Sequence, residues 1–221
     1  MRTIVIGGKH GLGRAILDRL GSDAECLGRP TLDLSDRETE VRARVAEAVN
    51  SRPERKLDAL VVSAGLSLET RPTVNHTAAD NALDRMMAVN FRGPRACVQG
   101  ALRGLLRAKG RVLLVSSTVV RPPSAEWLAE YAASKGALEA WAGALAKPLA
   151  RHGVALTVLR PGWFSGGMAD NLQPQTTNRA VKSIPWGRFG SVDEVADFAV
   201  QILRAPPWCV TGRTFEATGG L

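Results

Sequence analysis

The chain has 221 residues, 45% of them apolar, which suits a single soluble globular domain with a sizeable core. No apolar run approaches membrane-spanning length, and Met1-Arg-Thr-Ile-Val-Ile enters a strand directly rather than a signal peptide, so a cytoplasmic protein with no membrane partner is expected. The formal charge of +8 comes from arginines that outnumber lysines 23 to 6, scattered from Arg2 to Arg213 without a basic run or aromatic interleaving. That pattern argues against nucleic acid and leaves a diffuse field that attracts anionic ligands. Cys26, Cys97 and Cys209 are odd in number, widely spaced and without a ligand pattern, so they read as core or free thiols and no metal site is implied.

Residues 2–7 predict a short apolar strand, followed by Gly7-Gly8-Lys9-His10-Gly11-Leu12-Gly13 and an amphipathic run, Arg14 to Leu20. Strand, glycine-rich turn and helix start in that order make a site for a dinucleotide pyrophosphate: glycines admit the backbone, and the helix N-terminus offers free N–H donors. A glycine-rich turn by itself is also a plain tight connection; its place after the first strand favours binding. A second strand over 24–28 ends at Gly28-Arg29. An acidic residue there would hold the ribose hydroxyls of NAD, whereas arginine suits the extra phosphate of NADP. Arg29, with Lys9 and His10 in the turn, favours NADP(H), against the plain reading of an exposed loop arginine. Pro30 leads almost directly to Thr31-Leu-Asp33-Leu34, which leaves no room for the next covering helix.

Ser35-Asp-Arg-Glu38 predicts a capping box opening a helix to about residue 50. Residues 57–63 form a nearly continuous apolar strand, as expected of a parallel strand buried on both faces, ending in Ala64-Gly65. A helical region over 78–109 carries Asn90 at its centre, followed by Gly93-Pro94, and predicts a bend there. The strand 111–117 ends in two hydroxyls, and a helix over 126–151 with Pro148 near its end holds Tyr131 and Lys135 one turn apart on one face. Tyr131 is the single tyrosine of the chain. An ammonium beside a phenol favours the phenolate and brings its proton within reach of catalysis, and Ser117 would hold a substrate oxygen beside it. Tyr-x-x-x-Lys alone is more often a solvated pair, so the surrounding features have to decide. Residues 154–160 predict a buried strand closed by Pro161-Gly162, and 163–186 a functional lid or weak helix pair. A second capping box, Ser191 to Glu194, opens a helix to about 204, and 214–218 is the last strand. Strands alternating with helices predict one α/β domain, 1–221, with a parallel sheet.

Together, Gly7-x-x-x-Gly11-x-Gly13, Asp33, Ala64-Gly65, Asn90, Ser117, Tyr131-x-x-x-Lys135, Pro161-Gly162 and the tail from Ile184 to Gly220 make the chain resemble the short-chain dehydrogenase/reductase family over essentially its whole length. The resemblance implies a single Rossmann-like, doubly wound parallel sheet of about seven strands, with helices on both faces and the cofactor across the strands' carboxyl ends. It implies a catalytic set of Asn90, Ser117, Tyr131 and Lys135. Tyr131 is then general acid in carbonyl reduction, Lys135 holds the nicotinamide ribose, Ser117 orients the substrate oxygen, and Asn90 anchors a water relay. Gly7, Gly11, Leu12, Gly13, Ala64 and Gly65 would line the cofactor. Asp33 would accept from the adenine amine beside the Leu34 backbone, and Pro161-Gly162 would pass the carboxamide. Trp163, Phe164 and Met168 are weaker substrate candidates in a substrate loop over about 163–186.

Three positions depart from the family pattern: Ile6 stands where threonine is usual, Val62-Ser63 precede Ala64-Gly65 in place of two asparagines, and Gly166 replaces the threonine expected after Pro161, with Ser165 beside it. The activity implied is hydride transfer between NADP(H) and a small-molecule ketone or secondary alcohol. The alternatives are a non-catalytic dinucleotide sensor or scaffold, or an imine reductase, epimerase or dehydratase on the same fold. The resemblance also implies a homodimer or homotetramer paired through helices 90–109 and 131–151, where Gly100 and Gly104 would allow close approach or equally be neutral.

Overall fold

The computed structural model describes residues 1–51, 54–121 and 125–221. The chain runs β1 (Thr3–Ile6), α1 (Gly11–Leu20), β2 (Ala24–Leu27), α2 (Glu38–Asn50), β3 (Ala59–Val62), α3 (His76–Met87), α4 (Gly93–Ala108), β4 (Arg111–Val115) and α5 (Ala129–Arg151). It continues as β5 (Ala155–Pro161), β6 (Phe164–Ser165), α6 (Pro174–Ser183), β7 (Gly190–Ser191), α7 (Val192–Arg204), α8 (Pro207–Val210) and β8 (Thr214–Ala217). Six strands form one parallel sheet in the order β2-β1-β3-β4-β5-β8, and β6 and β7 form a separate parallel pair of two residues each.

Sheet side chains alternate between two cores, as the period of a strand requires. Ile4, Ile6, Leu60, Val62, Val112, Leu114, Leu156 and Val158 face α2, α4 and α5, through Val41, Val45, Val49, Ala101, Leu105, Leu138 and Ala142. Val5, Ala59, Val61, Leu113, Val115 and Leu159 face α1 and α7, through Leu12, Ile16, Val195, Ala199 and Leu203. Burial on both faces explains why these strands read as continuous apolar runs. Beyond β1 the chain crosses first to β2 on one side and then to β3 on the other. The carboxyl ends of β1 and β3 therefore flank the switch point where a ligand crevice opens.

The main sheet has six strands, in keeping with the parallel sheet of about seven expected: residues 28–34, which include the cis Arg29–Pro30 peptide, are taken up by turns and leave β2 as the edge. Leu32 and Leu34 from this stretch are buried in the core instead. The capping box at Ser35 does not form: α2 starts at Glu38, the Ser35 hydroxyl donates to Asp33 Oδ1 at 2.7 Å, and Glu38 pairs with Arg95. Asp33 Oδ1 also accepts from the Ser35 N–H at 2.9 Å, so the backbone donor that Glu38 would have accepted from is already taken. The second box is present, with Ser191 and Glu194 bonded reciprocally, and Arg188 locks Glu194 at 2.7 Å.

Gly100 and Gly104 are occupied within the chain. A Cβ on Gly100 would fall 2.5 Å from the Arg42 carbonyl oxygen, and one on Gly104 2.5 Å from Val49 Cγ1, so both glycines serve the contact of α4 with α2 rather than contact with a second copy. Gly100→Ala is expected to cost about 1–3 kcal/mol, lowering Tm by several degrees. Gly143→Ala, on a helix position where a Cβ meets nothing within 4 Å, should raise Tm slightly through helix propensity. Thermal unfolding of the two variants checks the contrast.

Candidate active site

Four segments meet at the carboxyl ends of the central strands. β4 delivers Ser116-Ser117, α5 delivers Tyr131, Ser134 and Lys135, the turn after β3 delivers Gly65-Leu66, and the junction of α3 and α4 delivers Asn90. That junction is a five-residue π turn, Ala88–Arg92, which is the bend predicted at Asn90. The wider turn places the Asn90 side chain inward, where it is 0% exposed.

Asn90 is fully engaged. Its Oδ1 accepts from Leu66 N at 2.7 Å, and its Nδ2 donates to Leu66 O at 2.7 Å and to Ser134 Oγ at 2.9 Å. Ser134 in turn donates to the Tyr131 carbonyl at 2.8 Å. The Asn90 side chain thus braces the Gly65-Leu66 turn against α5. Ser134 and the Leu66 backbone were not singled out in the sequence. Their one signal was a serine inside an apolar helix face, immediately before Lys135.

Lys135 is 3% exposed, and its Nζ donates to the Val115 carbonyl at 2.9 Å, at the end of β4. Burial pushes this ammonium down to about 8, against a smaller opposing pull from Glu139. Burial also pushes the Tyr131 phenol up to about 12, and the Ser117 hydroxyl, bonded to it, draws it partly back. Desolvation is the larger influence on both groups. What results is a phenol that stays protonated near neutrality, held beside Ser117 and one turn from a lysine with a movable proton. Ser117 itself ends the strand with an extended backbone, and its Oγ accepts from Val119 N at 3.3 Å.

On the cofactor side, the glycine turn is built for close approach. A Cβ on Gly7, at φ +83°, would sit 2.7 Å from Ala64 N, and one on Gly13 2.3 Å from Gly7 O. The N-terminus of α1 has no side-chain cap and no acidic residue in its first turn, which leaves its N–H groups open to an anion. Leu12 is core, so it offers only backbone. Lys9 and His10 are exposed, and the Lys9 stem passes Gly28, next to Arg29. Arg29 is exposed and pairs with Asp33 at 2.7 Å. Partial burial of Asp33 works to raise its carboxyl, but the Ser35 bonds and Arg29 outweigh it and hold the group below its usual value. These features fit a nicotinamide dinucleotide, with Gly65 forming the cradle at the inner end: a Cβ there would lie 3.3 Å from Lys135 Nζ.

The loop after β5 sorts the remaining candidates. Gly162 N donates to Ala217 O at 2.8 Å, which fixes the Pro161-Gly162 turn to β8. Met168 reaches the site, its Cε 3.5 Å from a Cβ on Gly65. Phe164 packs on the α1/α7 core, and Trp163 stacks on Phe189 at 6.0 Å, so neither contact points to the cleft. Ser165 Oγ lies 3.4 Å from Gly190 O, and Gly166 N donates to both carboxylate oxygens of Asp170 at 3.0 Å. Gly166 has no hydroxyl to replace that of the expected threonine, and the Ser165 hydroxyl donates to Gly190 O.

A buried lysine with a half-buried tyrosine and serine at the carboxyl ends of a parallel sheet, across from a glycine-lined helix N-terminus, define a dinucleotide-dependent oxidoreductase site. Comparisons with known proteins agree. A family model described as enoyl-(acyl carrier protein) reductase matches residues 12–221. The chain is 28% identical over 249 aligned residues to the short-chain reductase protein NovJ of Streptomyces niveus, covering 99% of this chain and 92% of that protein. It is 26% identical to the 3-oxoacyl-[acyl-carrier-protein] reductase FabG of Staphylococcus aureus, covering 82% and 72%. A solved short-chain dehydrogenase/reductase from Serratia marcescens superposes with a TM-score of 0.86 at 25% identity, covering 99% and 96%. The angucycline C-6 ketoreductase LanV, solved with bound NADP, superposes with a TM-score of 0.83 at 24% identity, covering 99% and 94%. The chain belongs to the short-chain dehydrogenase/reductase family and is an oxidoreductase acting on carbonyl or alcohol groups with a nicotinamide dinucleotide. Among the described residues no helix is long and apolar enough to cross a membrane, and no cluster of side chains could hold a metal ion.

The buried amine has a measurable cost. Its folded value, about 8, lies below the ordinary 10.5, so the stability it withholds is regained only as pH rises toward 10.5. Lys135→Met should gain Tm relative to the parent as pH falls from about 10.5 to about 8, then level off. The Val115 carbonyl left bare adds a constant, pH-independent loss. Thermal melts across that range check the slope.

Proposed function

We propose that this protein reduces a small-molecule ketone to a secondary alcohol with NADPH, by way of Tyr131, Ser117 and Lys135. The observation that carries the reading is the Tyr131 phenol bonded to Ser117 and kept protonated by desolvation, on the same helix as the Lys135 amine that closes the cradle at Gly65. A phenol protonated near pH 7 carries the proton that carbonyl reduction requires, and the Ser117 bond and the ammonium one turn away favour its release. The bound nicotinamide supplies the hydride. Ser117 and Tyr131 donate to the carbonyl oxygen as negative charge develops on it, and Tyr131 gives up its proton to form the alcohol. Lys135, one helical turn away, stabilises the phenolate left behind and holds the nicotinamide ribose. Asn90 keeps the Gly65-Leu66 turn and α5 in register while this happens. A non-catalytic sensor would have no need of a phenol, a hydroxyl and a buried amine brought together, the amine at the cost of its hydration.

Preference for NADP(H) rests on Lys9 and Arg29, which flank Gly28 at the end of β2 with no acidic side chain between them. The extra phosphate would draw Arg29 from its exposed pair with Asp33. On the substrate side, Met168 supplies an apolar wall beside the cradle.

Tyr131→Phe is expected to lower turnover by about 10²–10⁴-fold while NADPH affinity, followed by fluorescence titration, changes little. NADPH consumption across a panel of ketones, imines and sugar nucleotides identifies the substrate class, and a Phe variant as active as the parent would remove Tyr131 from the mechanism. Arg29→Asp should weaken NADPH by about tenfold or more relative to NADH. Equal loss for both dinucleotides in the same titration would leave the NADP preference without its basis.

A further inference from the structure

The turn of α5 that carries Tyr131 has no side-chain cap. Tyr131 is the third residue of that helix, Leu128 stands at the N-cap without a side-chain hydrogen bond, and the residues before it, Glu126–Leu128, make a single tight turn. The first turn of a helix leaves its backbone N–H groups without helical partners, and helices fray from such ends. A proton donor placed there has to be fixed from outside the helix.

The loop after β3 supplies the fixing. Thr70 is 5% exposed, buried between the exposed Glu69 and Arg71. Its hydroxyl donates to Oε2 of Glu130, the residue immediately before Tyr131, and its N–H donates to the Trp127 carbonyl at 3.3 Å. Three residues on, Thr73 donates to Glu126 Oε1 through its hydroxyl and, at 3.1 Å, through its N–H. The other end of the loop is Leu66, which Asn90 holds at both backbone groups while it binds Ser134, whose hydroxyl donates to the Tyr131 carbonyl. The loop from Leu66 to Thr73 is thus tied to α5 on both sides of Tyr131, at Glu130 before it and through Asn90 to Ser134 after it.

We propose that Thr70 and Glu130 are positioning residues, whose hydrogen bond holds the first turn of α5 so that the Tyr131 phenol stays beside Ser117. The proposal rests on the reading of Tyr131 as the proton donor. Valine would fill the space of Thr70 as well, and water reaches the half-buried Glu130. What the bond adds is direction: a carboxylate held from one side by a buried hydroxyl fixes the Glu130 backbone, and with it the Cα of the next residue. Proton transfer depends steeply on that placement, since an error of about 1 Å can cost about 100-fold in rate.

The test exploits Tyr131 being the single tyrosine of the chain. In the full chain grown on tyrosine carrying 13C at Cζ, one signal reports the phenol. Thr70→Val, which keeps the shape and removes the hydroxyl, is expected to shift and broaden that signal. It should also lower kcat about 10- to 100-fold, with the ketone of the panel consumed fastest, while NADPH affinity changes little. Thr70→Ser keeps the donor and Glu130→Gln keeps an acceptor, so both readouts should stay close to the parent. Thr70→Val combined with Glu130→Ala should lose no more than the worse single variant, because both remove the same bond. A merely structural role would lower Tm and leave the signal and the turnover of folded enzyme at parent values. An unshifted signal or parent turnover in Thr70→Val, or losses that multiply in the double variant, would overturn the proposal. If Thr70→Val does not fold, Glu130→Ala decides by the same two readouts. Tyr131→Phe assayed alongside separates the two layers: an active Phe variant removes Tyr131 from the chemistry, whereas the tyrosine signal in Thr70→Val tests whether the loop holds it.

Discussion

Burying a lysine amine is the constraint around which the rest of this molecule is arranged. An ammonium that is 3% exposed loses most of its hydration, and the protein returns to it a single carbonyl bond, from Val115, and a carboxylate one turn away. The arrangement is tolerable because the neighbouring elements are fixed from several sides. Asn90 ties the Gly65-Leu66 turn to α5 through three hydrogen bonds, and Ser134 passes the restraint to the Tyr131 backbone. Such a site is less stable than an apolar core of the same volume, and the sacrifice is understandable only if the amine and the phenol have chemical work to do.

The sheet supplies the frame for that work. Its order brings the ends of β1 and β3 together, so the glycine turn and the Ala64-Gly65 turn face each other across the crevice, so closely that Gly7 leaves no room for a side chain. β4 and β5 then carry Ser117 and the Pro161-Gly162 turn to the same edge, and β8 pins the latter. The cofactor and the proton donor thus come from opposite halves of one sheet, and ion pairs running from Glu139 through Arg160 and Glu216 to Arg121 fasten the donor's half to the last strand.

Much of this was legible in the sequence where the signal is local. The strand runs Ile4 to Ile6, Leu60 to Val62 and Leu113 to Val115 announced a sheet buried on both faces. The capping box at Ser191 formed as read, and the glycine between Asn90 and Pro94 marked a real irregularity, a π turn. Ser35 misled because a capping box looks at one helix only. Asp33, outside that helix, takes the Ser35 N–H, and Arg95 takes the Glu38 carboxylate. Gly100 and Gly104 misled because sequence shows that a helix face is small without showing what lies against it, which here is α2.

By itself the sequence determined the alternation of strands and helices, the order of the glycine turn, Asn90, Ser117, Tyr131 and Lys135 along the chain, and the family those residues spell. These follow from periodicity, backbone freedom and side-chain chemistry, which each residue carries with it. Only the tertiary structure decided how those groups ionise, what holds them and which aromatic side chains turn away from the cleft. Desolvation depends on everything packed within a few ångströms: it raises the Tyr131 phenol and lowers the Lys135 amine. The bonds that fix the site, Asn90 to Ser134 and Arg160 to Glu139, join residues tens of positions apart that only the folded sheet brings into contact.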